Sequence, residues 1–204
     1  MADRVRVGVL VSGRGTNMVA LSEYKRREAR SYDLALVASN VPEARGLVVA
    51  RRLGIPVWAR SHKGMDREEF DHLLDLALRE ADVELVALAG YMRLLSSAFI
   101  ARWKDRILNI HPSLLPAYKG LDTHKRALEA GEVWVGCSVH LVTDELDGGP
   151  VLAQARVRVR ERESAEQLGE RVLKEEHRLY PETLDAFAAR LLPRREIIPG
   201  AWKP

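Results

Sequence analysis

Val5-Arg-Val-Gly-Val-Leu-Val11, running straight into Ser12-Gly13-Arg14-Gly15-Thr16-Asn17, decides how the fold is read. A short run of Val and Leu closed by a Ser/Gly cluster reads as a buried strand. The segment from Asn17 to about Arg30 then reads as a helix. The same alternation continues outward. Asp33 to Ser39 is a second strand, Pro42 to Leu53 a helix stopped by Gly54, and Ile55 to Trp58 a short third strand. From Asp66 to about Ala81, Phe70, Leu73, Leu74, Ala77 and Leu78 fall at the spacing of an amphipathic helix. Glu84 to Ala89 is a fourth strand, Ser96 to Trp103 a helix, and Arg106 to Ile110 a fifth strand. Strands separated by helices argue for a doubly wound α/β fold, a mostly parallel sheet with helices on both faces.

After Gly120 the pattern changes. Thr123 to Ala130 reads as a short helix ended by Gly131. Val133 to Thr143 and Val151 to Val159 read as two long strands around the turn-rich Asp144-Glu-Leu-Asp-Gly-Gly-Pro150, which predicts an antiparallel C-terminal extension. Ser164 and Gln167 form a capping box for a helix from Ser164 to about Tyr180. Pro181 must kink that helix or start another. Pro193 to Pro204 reads as a surface tail. The expected organisation is one domain over residues 1–204, with a phosphate-binding half (1–110), a second half (111–192) and the tail (193–204).

At 204 residues, with 47% hydrophobic and 30% charged residues, the chain can bury a sizeable core as a soluble globular protein. No run approaches the ~20 apolar residues that span a bilayer. Met1-Ala2-Asp3-Arg4 does not open an export signal. The single cysteine, Cys137, excludes an intrachain disulfide framework, fits a reducing cytosol, and in its apolar run reads as a buried small hydrophobe. A net charge of +3 with basic residues spread out, and only 6% aromatic residues, gives no nucleic-acid footprint. The densest basic stretch, Arg156-Val-Arg-Val-Arg160, alternates as a solvated strand face does. An anionic small molecule suits these side chains better than a nucleic-acid groove.

Three stretches carry chemistry. Ser12 to Asn17 joins a strand to a helix, where glycines permit close backbone approach and unpaired helix-start amides bind phosphate. It lacks the third glycine of a dinucleotide fingerprint and the Gly-Lys-Ser/Thr of a P-loop, so a single phosphomonoester is its best ligand; a plain tight turn is the alternative. Asn109-Ile110-His111-Pro112-Ser113-Leu114-Leu115-Pro116 puts an amide and an imidazole at i and i+2, on one face of an extended strand. An amide that donates to an oxyanion beside an imidazole that moves a proton is a minimal acyl-transfer kit. Asp144 to Pro150 reads as a polar turn, or as a loop that folds over the cleft and sets Asp147 beside His111, where a carboxylate favours the imidazolium. Sequence separation alone does not establish that contact.

Six histidines raise the question of a metal. None forms His-x-His, His-Glu-x-x-His or a Cys/His cluster, and His62, His72 and His177 fall on loops or helix surfaces by pattern, so no metal is expected. His124 and His140 could approach His111, but read better as satisfied polar positions. Ser113 lacks the Gly-x-Ser-x-Gly elbow of a serine hydrolase.

Taken together, Ser-Gly-Arg-Gly-Thr-Asn near the start, Ala89-Gly-Tyr-Met-Arg93, Asn109 to Pro116 and Asp144 to Pro150 resemble the phosphoribosylglycinamide formyltransferase family, in order from about Val5 to Tyr180. The middle motifs are shared with the wider superfamily that uses 10-formyltetrahydrofolate. The resemblance implies a formyltransferase fold and transfer of formyl from that folate to glycinamide ribonucleotide in IMP biosynthesis. It implies Asn109, His111 and Asp147 as catalytic residues. Gly15, Thr16 and Asn17 would hold the phosphate, and Glu176 the ribose hydroxyls. Arg67, Met92, Arg93, Leu94, Leu95, Asn109, Thr143, Asp144 and Asp147 would form the folate site. For Leu94 and Leu95 the plain alternative is ordinary core. Lys119 and Asp122 stand where many relatives carry Pro and His. The methionyl-tRNA formyltransferases and the deformylases carry extra domains for which this chain leaves no room. The partners implied are small molecules, with no nucleic acid or membrane, and a cytoplasmic monomer or weak homodimer. A deformylase that uses water as acceptor and a non-catalytic folate or nucleotide sensor are the rival classes.

Overall fold

The computed structural model describes residues 4–27 and 30–192, so the expected tail at 193–204 lies outside the described residues. Seven strands form one sheet in the order β3-β2-β1-β4-β5-β6-β7. β1 (Val5–Val11), β2 (Tyr32–Ser39), β3 (Val57–Ala59), β4 (Leu85–Leu88) and β5 (Ile107–His111) run parallel. β6 (Trp134–Leu141) and β7 (Val151–Arg158) add to β5 as antiparallel strands. The doubly wound α/β class and its antiparallel extension are as the sequence predicts.

β1 shows why the sheet is covered on both faces. Val5, Val7, Val9 and Val11 enter one apolar cluster, and Leu10 enters the other. The first cluster is closed by α1 (Thr16–Arg27), α2 (Arg45–Arg52), α5 (Thr123–Glu129) and α6 (Ala165–Leu191). The second is closed by α3 (Arg67–Glu80) and α4 (Ser97–Arg102). Gly8 belongs to the second face. A Cβ there would lie 2.5 Å from Leu78 Cδ2, so glycine lets α3 seat against β1. Cys137 is fully buried, and burial pushes its thiol up to about 12, which suits a packing role.

Helix ends follow their caps. Asp66 accepts the Glu69 N–H to start α3, Ser96 accepts the Phe99 N–H to start α4, and Ser164 with Gln167 completes the capping box of α6. Two expectations are corrected. α2 starts at Arg45 and not Pro42, because Ala44 N–H closes a turn on Val41 O and Gly46 N–H is drawn to Gly13 O. The helix end expected near Tyr180 moves to Leu191, because Pro181 lies inside one continuous α6 and starts no second helix. A proline inside a helix costs about 3 kcal/mol or more. Here burial of Leu179, Tyr180, Leu184 and Ala188 on the sheet opposes that cost. The Tyr180 hydroxyl also shares its hydrogen between the carbonyls of Leu88 and Leu108, each at 3.1 Å, pinning α6 across β4 and β5.

The strand order reverses between β1 and β4, since β2 lies on one side of β1 and β4 on the other. In open parallel sheets that reversal opens a ligand crevice at the carboxyl ends of the strands. The loops after β1, β4 and β5 all leave from that end.

Candidate active site

β5 delivers Asn109 and His111 to one face of the crevice, with His140 of β6 paired opposite Asn109. The loop that follows is braced from behind. The fully buried Ser138 hydroxyl donates to Ser113 O at 2.7 Å and accepts Leu115 N–H at 3.0 Å, and Gln154 Nε2 donates to Leu115 O. The Ser113 hydroxyl is turned into this loop, donating to Ala117 O at 2.6 Å, which leaves it bound to structure and not poised as a nucleophile.

The structure places Asp147, on a left-handed residue of the loop between β6 and β7 (φ +48°), between two imidazoles. Its Oδ2 lies 3.4 Å from His111 Nδ1 and accepts Gly120 N–H at 2.9 Å, and its Oδ1 lies 3.5 Å from His140 Nε2. His111 Nε2 faces the Tyr118 carbonyl at 3.0 Å. Two acceptors therefore flank this buried ring, one facing each nitrogen. Burial pushes the Asp147 carboxyl up. The Gly120 amide and the His111 imidazole outweigh that and hold it below the usual carboxylate range.

His140, read from the sequence as a satisfied polar position, joins this cluster. Its Nδ1 faces the Leu141 carbonyl at 2.9 Å, so that nitrogen carries the hydrogen. Its Nε2 then accepts from Asn109 Nδ2 at 3.1 Å when the ring is neutral. The contact fixes which end of the Asn109 amide faces the crevice. The Asn109–His140 register was not readable locally.

At the β1 end, Gly15 has φ +73°, and a Cβ on it would lie 2.7 Å from Gly46 Cα. Only glycine lets the loop turn this closely into α1. Thr16 and Asn17 open α1, whose first amides have no intrahelical acceptor and point along the positive end of the helix dipole. Asn17 is buried, and its Nδ2 donates to Glu176 Oε2 at 2.8 Å while its Oδ1 has no protein partner. Glu176, on α6, is 7% exposed. Burial raises its pKa, and the single amide contact opposes this only in part.

The loop after β4 divides. Met92 is 71% exposed and Leu94 52% exposed, whereas Leu95 is core at 9%. Arg93 stacks over Phe70 with 5.1 Å from its guanidinium carbon to the ring centroid, and donates to Asp66 O at 3.0 Å, beside the exposed Arg67 that opens α3. Thr143 and Asp144 are exposed at the mouth of the loop that carries Asp147. His177 is half-buried, not on an open helix surface, and burial lowers its pKa. Among the described residues no group of three or more His, Cys, Asp or Glu is arranged to hold a metal, and no helix is long and apolar enough to cross a membrane.

The sheet reversal gathers a glycine-turned helix start, an amide, two imidazoles and a carboxylate at the carboxyl ends of the strands. Residues 5–184 match the formyl transferase family model, and the chain belongs to that family. It is 42% identical over 202 residues to the phosphoribosylglycinamide formyltransferase of Escherichia coli strain K12, covering 97% of this chain and 93% of the relative. It is 43% identical to the trifunctional purine biosynthetic protein adenosine-3 of Gallus gallus, over 98% of this chain but only 20% of that longer protein. The crystal structure of glycinamide ribonucleotide transformylase 1 from Symbiobacterium toebii superposes with a TM-score of 0.90 at 42% identity, covering 93% of this chain and 90% of the other.

Proposed function

We propose that the chain transfers the formyl group of 10-formyltetrahydrofolate to the amine of N1-(5-phosphoribosyl)glycinamide, in IMP biosynthesis in the cytoplasm. The observation that carries this reading is the cluster of Asn109, His140, Asp147 and His111 at the crevice, with the glycine-turned start of α1 at its other end. The names of the relatives point the same way.

In this reading the first amides of α1 at Gly15, Thr16 and Asn17 hold the phosphate. Glu176, kept in place by Asn17, accepts from the ribose hydroxyls. The exposed apolar side chains of Met92 and Leu94 fit a flat heteroaromatic ring, and Arg67 and Arg93 offer positive charge to the acidic tail of a folate. Asp144 and Thr143 supply acceptors for ring amino groups.

The amine nitrogen attacks the formyl carbon, and the carbonyl pair moves onto oxygen. The Asn109 amide has one hydrogen for His140 and one for that oxyanion. His111 adds a second donor by exchanging its Tyr118 carbonyl contact for the oxyanion. One such donor is worth roughly 2.7–4 kcal/mol in the transition state. The carbon–N10 bond then breaks and returns the electron pair to N10, which takes up a proton. The attacking amine loses one, and His111 relays it through water while Asp147 keeps the ring oriented and charged. No covalent intermediate on the protein is needed.

The test is cofactor turnover followed by absorbance, with and without the ribonucleotide. Turnover only with the ribonucleotide present is the expected result. Turnover in water alone would make the protein a deformylase, and none in either case would turn it into a binding protein or a transferase with another acceptor.

A further inference from the structure

Ser12 belongs by motif to the phosphate loop, yet its side chain serves the neighbouring one. Its backbone N–H donates to Gly90 O at 3.0 Å, so the loops leaving β1 and β4 are tied at the sheet reversal. Its hydroxyl accepts Met92 N–H at 2.8 Å. The same oxygen lies 2.6 Å from Asn40 Oδ1. A hydroxyl has one hydrogen, so with Met92 as donor that hydrogen goes to Asn40. Asn40 is 2% exposed just beyond β2. Its side-chain nitrogen and its backbone carbonyl both face His62 Nδ1, at 3.1 and 2.9 Å, and that one nitrogen either accepts from the amide or donates to the carbonyl. The phosphate-loop backbone is held independently, by Gly46 N–H on Gly13 O at 2.9 Å and by the packing of Gly15 on Gly46.

We infer that Ser12, oriented by Asn40, is a positioning residue for the Met92–Leu95 segment, acting on folate binding and not chiefly on phosphate binding. This rests on the folate reading of that segment. Without the hydroxyl, Met92 N–H loses its acceptor and the exposed apolar pair at Met92 and Leu94 loses its anchor. Asn17 and Glu176 keep their contact.

The experiment measures kcat and both KM values for Ser12→Ala, Ser12→Thr and Asn40→Ala, with calorimetric binding of 10-formyltetrahydrofolate and melting curves for each. Ser12→Ala is expected to raise the folate KM and Kd about 2- to 12-fold, the factor that the net loss of one hydrogen bond produces. The ribonucleotide KM rises less, and kcat at saturation changes little. Ser12→Thr keeps a hydroxyl and recovers most of the loss. Asn40→Ala moves the folate KM in the same direction by a smaller factor, and it decides the matter if Ser12→Ala does not fold. A raised ribonucleotide KM with folate binding unchanged would overturn the inference, as would a lower melting temperature with neither KM altered. Wild-type protein that binds no 10-formyltetrahydrofolate would instead overturn the folate reading itself.

Discussion

Glu176 and Asp147 are both carboxylates withdrawn from water, and they are shifted in opposite directions from their ordinary values. Glu176 lies inside the layer between α6 and the sheet with one neutral amide, Asn17, against it, and burial prevails. Asp147 sits on a strained loop residue with a backbone amide and two imidazoles around it, and burial loses. The same desolvation is present in both. The number and charge of the donors decide the outcome: one neutral amide leaves the protonated carboxyl favoured, and several donors favour the carboxylate.

The largest expected effect breaks the Asp147 side of this contrast. Asp147→Asn should lower kcat by roughly 10²–10³, comparable to losing an oxyanion donor, with little change in ribonucleotide KM. Its stability effect has a definite sign. A carboxyl lowered in the folded state contributes stability above its ordinary value of 3.8, lost as pH falls through the folded value. Asp147→Asn therefore melts earlier than wild type near neutral pH, and the gap closes below pH 3.8. Wild-type turnover in this variant would remove Asp147 from the mechanism.

Next in size is Gly15→Ala, which forces a side chain into a positive-φ position and against Gly46 Cα. Such strain costs about 1–3 kcal/mol, read as a lower melting temperature and a higher ribonucleotide KM. A variant that binds the ribonucleotide as wild type does would mean the loop does not hold the phosphate.

The Glu176 side is sharpened by a pH series on Glu176→Gln. A carboxyl raised in the folded state contributes stability below its ordinary value of 4.5, and that contribution is lost as pH rises through the folded value. The variant should gain melting temperature over wild type near neutral pH and lose that advantage below pH 4.5, while its ribonucleotide KM rises. Asn17→Ala should raise the same KM and leave folate binding nearly untouched; equal losses on both would contradict the split site. The smallest effect belongs to Lys119, whose ammonium meets Glu145 at 2.6 Å across the two loops that frame Asp147. That pair is largely exposed, so Lys119→Ala should cost only about 0.2–1 kcal/mol and change kcat less than about fivefold.

Most of the framework was legible. β1 was read to the residue, and α3, α4 and the start of α6 were fixed by Asp66, Ser96 and Ser164, because caps and periodicity are local signals. The misreadings occur where tertiary contacts override local preference. Pro181 signals a helix break, but the packing of Tyr180 and its neighbours on the sheet carries α6 through it. Pro42 signals a helix start, but the loop after β1 draws Gly46 N–H to Gly13 O and shortens α2. In the candidate site, Leu94 and Leu95 look alike in sequence, and only the fold exposes one and buries the other.

The sequence by itself determined the alternation of strands and helices, the sharp turn at Gly15, and the placing of Asn109 and His111 on one strand face, since each depends on neighbours a few residues apart. Only the tertiary structure decided that Asp147 lies between His111 and His140, that His140 holds the Asn109 amide, and that Asn17 meets Glu176 across 159 residues. Those contacts depend on strand order and on β5–β6 register, where a slip of one residue would turn every side chain to the other face.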